Sequence, residues 1–328
     1  MKKIIVLTLI LSLVLCSFSG CTGKNQGTEA KEDGIQVVTT IFPLYDWMNN
    51  VLGDNPAGVT VTMLQDSGVD LHNYQPTTDD IMKISKCDLL IYVGGESDEW
   101  ISDAVEQAEN KNMIALNLMD ALGDSLAEEE LVEGMEAEEE EHGEEPEEKE
   151  YDEHIWLSMR LAAASVLKMA QAMEHVDQAN QEVYKENAAA YIEKLHMLDV
   201  SYRDELANAK YGCLLFGDRF PFRYLTMDYG LDYYAAFSGC SAESEASFET
   251  VAFLARKLDE LNLPVVLKID GSDGSIAETV KNQSGSSSRK ILTLNSMQSV
   301  DGKAVEAGAS YMKIMEDNLK VLKEALEA

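Results

Sequence analysis

The chain reads as an α/β protein of two similar lobes, each a parallel sheet flanked by helices, joined by one long backbone helix. Three observations predict this. Short apolar runs alternate with helical stretches, which is the pattern of a parallel sheet covered on both faces. Four such runs precede one long amphipathic stretch and four follow it. The 328 residues are enough for two cores of ordinary size.

In the first half, Ile35–Thr40, Val59–Met63, Leu89–Val93 and Met113–Leu116 read as strands. Between them Leu44–Val51, Thr78–Ser85 and Asp98–Gln107 read as helices. Trp156–Met173 reads as a further helix, and Asp177 as the N-cap of one running from Gln178 to Asn208. Tyr184, Ala188, Tyr191, Leu195, Leu198 and Tyr202 recur at spacings of four and three and so share one face. At 1.5 Å per residue that helix is about 45 Å long, enough to run along both lobes. In the second half, Gly212–Phe216, Tyr233–Phe237, Pro264–Ile269 and Lys290–Leu294 read as strands, and Ala246–Leu261, Ser275–Gln283 and Ala304–Leu326 as helices. A ligand site is expected between the lobes, at the carboxyl ends of the strands.

The domain plan is therefore an export signal over 1–20, a tether over 21–34, an N-terminal lobe over 35–176, a linking helix over 177–210 and a C-terminal lobe over 211–328. Lys2 and Lys3 precede the apolar run Ile4–Leu15, and Ser19 and Gly20 precede Cys21. This is a secretory signal too short to span a bilayer comfortably. Its small-small-Cys ending resembles a bacterial lipobox, with Phe18 where Leu is usual, and implies lipidation at Cys21 and anchoring to the outer face of the cytoplasmic membrane. An ordinary signal with an incidental Cys is the competing reading.

The formal net charge of −33 argues against nucleic acid or anionic lipid head groups as partners. Much of it lies in the acidic loop 124–153. Glu128–Glu153 alone holds sixteen acids and one lysine, Lys149, too dense a charge to build a core and expected to be mobile. His142 lies within it, either as an auxiliary metal-collecting group or as part of a solvated loop. After Cys16 and Cys21, the remaining Cys87, Cys213 and Cys240 form no CxxC pair and no disulfide framework. Cys87 and Cys213 read as buried small hydrophobes, and a Cys213–Cys240 bridge has no support.

Of five histidines, His175 and His196 fall inside helices and read as structural or surface residues. His72, in Asp70-Leu71-His72-Asn73-Tyr74-Gln75-Pro76, and His154, in Tyr151-Asp152-Glu153-His154-Ile155-Trp156, sit at element boundaries beside acids. Neutral imidazole suits borderline metals, and a neighbouring carboxylate can fix the tautomer through the other ring nitrogen.

The segments VVTTIFPLYDW, DLHNYQPTTDDI, KCDLLIYVGG, ESDEW and DEHIWLS resemble the zinc and manganese substrate-binding proteins of metal-importing ABC transporters, the cluster with a rigid helical backbone. The resemblance is specific in the first half and looser in the second. It implies that His72 and His154 are metal ligands. The third ligand position falls on Gly217 in LLFGDRFPFRYL, where Asp218 is the nearest oxygen donor, unless Asp218 pairs with Arg219 or Arg223. The fourth falls near Asn295 in ILTLNSMQS, and Asp270, after VVLKI, is another carboxylate at a strand end. The implied function is extracytoplasmic capture of Zn²⁺, or Mn²⁺, by a monomeric binding protein that docks on an ABC permease and is not an enzyme. The alternatives are a metal-dependent extracellular hydrolase, for which His-Glu-x-x-His and Gly-x-Ser-x-Gly are missing, and the same fold holding a haem or metal chelate on the aromatic cluster between Phe216 and Phe237.

Overall fold

The computed structural model describes residues 34–136, 150–241 and 245–327. The expected export signal, Cys21, His142 and the densest part of the acidic loop lie outside the described residues.

The first half forms β1 (Gln36–Thr39), β2 (Thr60–Met63), β3 (Leu89–Tyr92) and β4 (Ile114–Asn117). All pair in parallel, in the order β2-β1-β3-β4. The second half forms β5 (Cys213–Leu215), β6 (Arg219–Phe220), β7 (Asp232–Tyr234), β8 (Phe237–Ser238), β9 (Val265–Ile269) and β10 (Lys290–Leu294). β5 pairs with β7 and β9 with β10, again in parallel. A single bridge between Phe216 and Leu267 joins β5 to β9. The resulting order β7-β5-β9-β10 repeats the first lobe's arrangement, in which the first strand lies between the second and the third.

Burial follows the residue types. β3 is almost wholly apolar and buried, as a strand covered on both faces must be. Helix Phe42–Leu52 buries seven of its eleven residues against the sheet. Helix Thr78–Lys86 starts at a capping box, the Thr77 side chain accepting from Asp80 N and Asp80 accepting from Thr77 N.

The linking helix runs over Gln181–Leu206, preceded by a 3₁₀ turn at Gln178–Asn180. Its 26 residues make it about 39 Å long. The early part serves the first lobe: Asn187 donates to Val51 O and Tyr191 to Asp46. The later part serves the second: Tyr202 donates to Met315 O, and Tyr229 donates to Asp199. One apolar core runs without a break from Val37 through this helix to Leu326.

Three segments depart from expectation. Tyr233–Phe237 is two short strands, not one, because β7 pairs with β5 while β8 pairs with β6. Ala304–Leu326 breaks into helices Gly302–Glu306 and Tyr311–Leu326, with Gly308 at φ 94° and Ser310 capping the second. The described ends of the acidic loop are anchored rather than free. Glu128 pairs with Tyr151 and Glu136 with Phe237, while Glu130 meets Arg223 and Glu133 meets Lys257. Basic side chains of the second lobe offset the repulsion there. Cys87, Cys213 and Cys240 take part in no disulfide, so Cys213 and Cys240 form no bridge. Among the described residues no helix is long and apolar enough to cross a membrane.

Candidate metal centre

His72 lies in a 3₁₀ turn, Leu71–Asn73, on the connection that leaves β2. Leu71 is buried beneath it, and the Asp70 side chain caps the turn by accepting from His72 N at 3.1 Å. His154 lies just before a second 3₁₀ turn, Ile155–Leu157, whose three residues are fully buried. The second lobe holds this turn in place. Trp156 donates its indole N–H to Ser296 O at 2.7 Å, Tyr311 donates to Trp156 O at 2.6 Å, and Tyr224 donates to Asp152 O at 2.7 Å.

The two imidazoles meet between the lobes, with Nε2 of His72 3.3 Å from Nε2 of His154. Consecutive acids serve the two far nitrogens. Asp152 Oδ1 lies 3.1 Å from His154 Nδ1. Ser97 Oγ lies 2.9 Å from His72 Nδ1 and donates to Glu153 Oε1 at 2.5 Å. Acceptors beside both Nδ1 atoms favour the tautomer protonated there, in which both Nε2 lone pairs face each other. Among the described residues His72, Glu153 and His154 are the one group of histidine, cysteine and acid side chains close enough to share an ion. The geometry gives Glu153 a supporting part, because its carboxylate faces Nδ1 of His72 and not Nε2.

The site is closed. His154 is fully buried and the His72 side chain is 5% exposed. Burial, the charge of His154 and that of Arg219 push His72 down to about 3, against the pull of Asp70. Burial also opposes charge on His154, but Asp152, Glu153 and Glu129 together lift its pKa above the ordinary imidazole value. Burial pushes the Glu153 carboxyl up to about 7, against His154 and the Ser97 contacts. The surroundings thus disfavour a proton on His72 and favour one on His154. Two glycines make room. A Cβ on Gly239 would lie 2.9 Å from His154 Cε1, and one on Gly95 2.7 Å from Glu153 Oε2.

Gln298 completes the centre, and sequence reasoning missed it. Its amide nitrogen lies 2.8 Å from His72 Nε2 and 3.0 Å from His154 Nε2. Its amide oxygen is buried with no hydrogen-bond partner. Met297, at φ 62°, turns the chain back toward the pair, and Asn295 holds the turn by accepting from Met297 N at 2.8 Å. The signal in LNSMQS was a polar side chain just past a strand's carboxyl end; the left-handed residue that aims it leaves no mark in the sequence.

The structure brings His72 and His154 together but not the other three candidates. Asp218 accepts from Arg219 N and Ile269 N, tying β6 to β9. Asp270 accepts from Ser296 N and Oγ and from Ser299 Oγ, holding the loop that carries Gln298. Asn295 holds the Met297 turn. All three carboxyl or amide groups accept from backbone or hydroxyl donors, and neither Asp218 nor Asp270 joins the imidazole cluster. His175 and His196 are exposed on helices. The aromatic cluster is packing: Phe220 stacks on Tyr233 at 3.7 Å and Phe216 on Phe222 at 5.3 Å, and Phe216, Phe220, Phe222 and Phe237 are buried.

A two-lobed scaffold that shuts a pair of imidazoles between its halves offers a site the size of one small ion. Comparison with known proteins agrees. Residues 37–325 match the family described as ZnuA, zinc-uptake complex component A, periplasmic, and the chain belongs to that family. It is 30% identical over 330 residues to the zinc-binding lipoprotein AdcA of Streptococcus pneumoniae serotype 4, covering all of this chain and 62% of that protein. It is 29% identical over 324 residues to the high-affinity zinc uptake system protein ZnuA of Bacillus subtilis, covering 98% of this chain and 96% of that one. Its fold matches the crystal structure of the Zn(II)-bound ZnuA-like domain of S. pneumoniae AdcA, with a TM-score of 0.70, 27% identity, and coverage of 90% of this chain and all of that one. The chain thus spans less than two thirds of the AdcA relatives.

Proposed function

We propose that this chain captures Zn²⁺ outside the cytoplasm and hands it to an ABC importer in the membrane. The 3.3 Å between the two Nε2 atoms carries the reading. Two nitrogens bound at about 2.0–2.1 Å to one tetrahedral zinc lie about 3.3 Å apart. The pair is thus spaced for one ion, and both lone pairs already point at its place. His72 and His154 are the two nitrogen ligands, each oriented by an acid of the Asp152-Glu153 pair. Gln298 supplies its free amide oxygen once the amide turns over, and water takes the fourth position.

Two imidazoles and a neutral oxygen suit zinc better than manganese, which favours more oxygen ligands. The zinc named for the relatives supports the same choice. The chain is a transport binding protein, not an enzyme: the hydrolase alternative needs an opening for a substrate at the metal, whereas His154 is wholly enclosed. Lipidation at Cys21 would tether it to the outer face of the cytoplasmic membrane, where as a monomer it meets the permease.

The test is metal analysis with competitive zinc titration of the wild type, His72→Ala and His154→Ala. About one zinc per chain, with strong weakening in both variants, is expected. Tight stoichiometric binding after loss of both histidines overturns the site.

A further inference from the structure

Next to the imidazoles a cleft of about 450 Å³ opens between the lobes, walled by Asp70, Asn73, Asp218, Arg219, Asp270 and Ser299 among others. His72 and His154 do not line it. Asp70 and Arg219 therefore belong both to the cleft wall and to the support of the closed centre.

Arg219 projects from β6 of the second lobe and grips Asp70 of the first through two parallel bonds. Its Nη2 donates to Oδ2 at 2.7 Å and its Nη1 to Oδ1 at 3.3 Å. Nη1 also donates to Ser241 O at 3.0 Å, which fixes the guanidinium from its own lobe. Asp218 fixes the backbone beneath it by accepting from Arg219 N at 2.9 Å. The side chains of Arg219 and Asp70 are only 13% and 17% exposed, so solvent screens the pair weakly. Asp70 Oδ1, the atom that faces Nη1, is also the acceptor for His72 N. One carboxylate thus joins a guanidinium of the second lobe to the backbone of the first ligand.

We infer that Arg219 is a positioning residue for metal capture: by clamping Asp70 across the lobe interface it holds His72 in register with His154, and release of the clamp opens the centre to the cleft. The inference rests on the zinc reading above. Electrostatics alone gives the opposite sign. A cationic guanidinium beside a cation site repels the ion, and its removal would then tighten binding. The sign of the effect separates positioning from mere proximity.

The experiment compares Arg219→Ala, Arg219→Lys and Asp70→Asn with the wild type, with thermal denaturation to show that each variant is folded. Zinc dissociation constants come from competition with a chelator, and release rates from trapping with excess chelator. Hydrogen exchange of the His72 backbone amide is followed by NMR in metal-free protein. Arg219→Ala is expected to weaken zinc at least tenfold through faster release, and to speed exchange of the His72 amide at least tenfold. Asp70→Asn should do the same, the double variant should be no worse than the worse single one, and Arg219→Lys should recover part of both losses. Zinc binding as tight as wild type or tighter in Arg219→Ala overturns the inference, and so does an unchanged exchange rate. A wild-type chain that binds no zinc removes the function proposed above, while amide exchange still decides whether Arg219 holds His72.

Discussion

Replacing Asp152 by Asn tests how much of the zinc affinity comes from the group behind the ligand. Asp152 is 1% exposed, and its Oδ1 accepts from the His154 backbone N–H at 2.8 Å as well as lying 3.1 Å from Nδ1. Asparagine keeps the shape and can keep the backbone contact through its own carbonyl. What is lost is the negative charge that makes the ring a stronger donor to a metal. Outer partners of this kind contribute about 10–100-fold in metal affinity, or about 1.4–2.7 kcal/mol. Water does not screen this carboxylate, so the upper half applies and a loss of about thirtyfold is expected at about pH 8. The pH dependence has a definite sign. The same charge raises the pKa of metal-free His154, so protons compete with zinc earlier in the wild type than in the variant as pH falls. The variant's deficit must therefore shrink with acid. Competition against a chromophoric chelator at about pH 8 and about pH 5 measures it. Equal affinities at about pH 8, or a deficit that widens in acid, would refute the argument.

Four further outcomes are expected. Because His72 is held down near 3 and His154 is raised, log Kd for zinc in the wild type should rise by about one unit per pH unit lost between about pH 6 and 5, and a slope of two would mean that both rings are protonated. Gln298→Leu should weaken zinc about tenfold or more while Gln298→Glu tightens it; identical constants in the same chelator competition would remove the amide from the ion's coordination. Trp156→Phe leaves the buried Ser296 carbonyl without its donor and should lower stability by about 1–3 kcal/mol in urea denaturation, and an unchanged midpoint would contradict the cross-lobe contact. Removal of residues 137–149, with eight acids, should slow zinc capture at low ionic strength in stopped flow and leave the equilibrium constant alone; a lost stoichiometric site would show that ligands lie there.

The periodic parts of the fold were legible in the sequence, and the boundaries were nearly so. Ser275–Gln283 falls where helical spacing places it, because one buried face determines it, and Lys290–Leu294 falls where its apolar run places it. His72 and His154 were legible as candidates because imidazoles beside acids at element boundaries are uncommon. The partners supplied by the second lobe were not. Asp218, Asp270 and Asn295 are oxygen donors at strand ends, yet backbone N–H groups and hydroxyls claim them. Which donor stays free depends on a backbone turn, here the positive φ of Met297, and local composition does not encode that. The aromatic run Phe216–Phe237 reads more readily as packing than as a pocket lining, and burial and stacking distances place its phenylalanines in the core.

The unbroken apolar core along helix Gln181–Leu206 also has a thermodynamic consequence. Two lobes that share one interior cannot melt separately, so heating should give a single calorimetric transition. A ligand bound at their seam then stabilises the whole chain and not one half. At a free concentration a hundred times its dissociation constant it adds about 2.7 kcal/mol to that single event. Occupancy of the seam is thus readable from a melting curve alone, without any label on the ion or the protein.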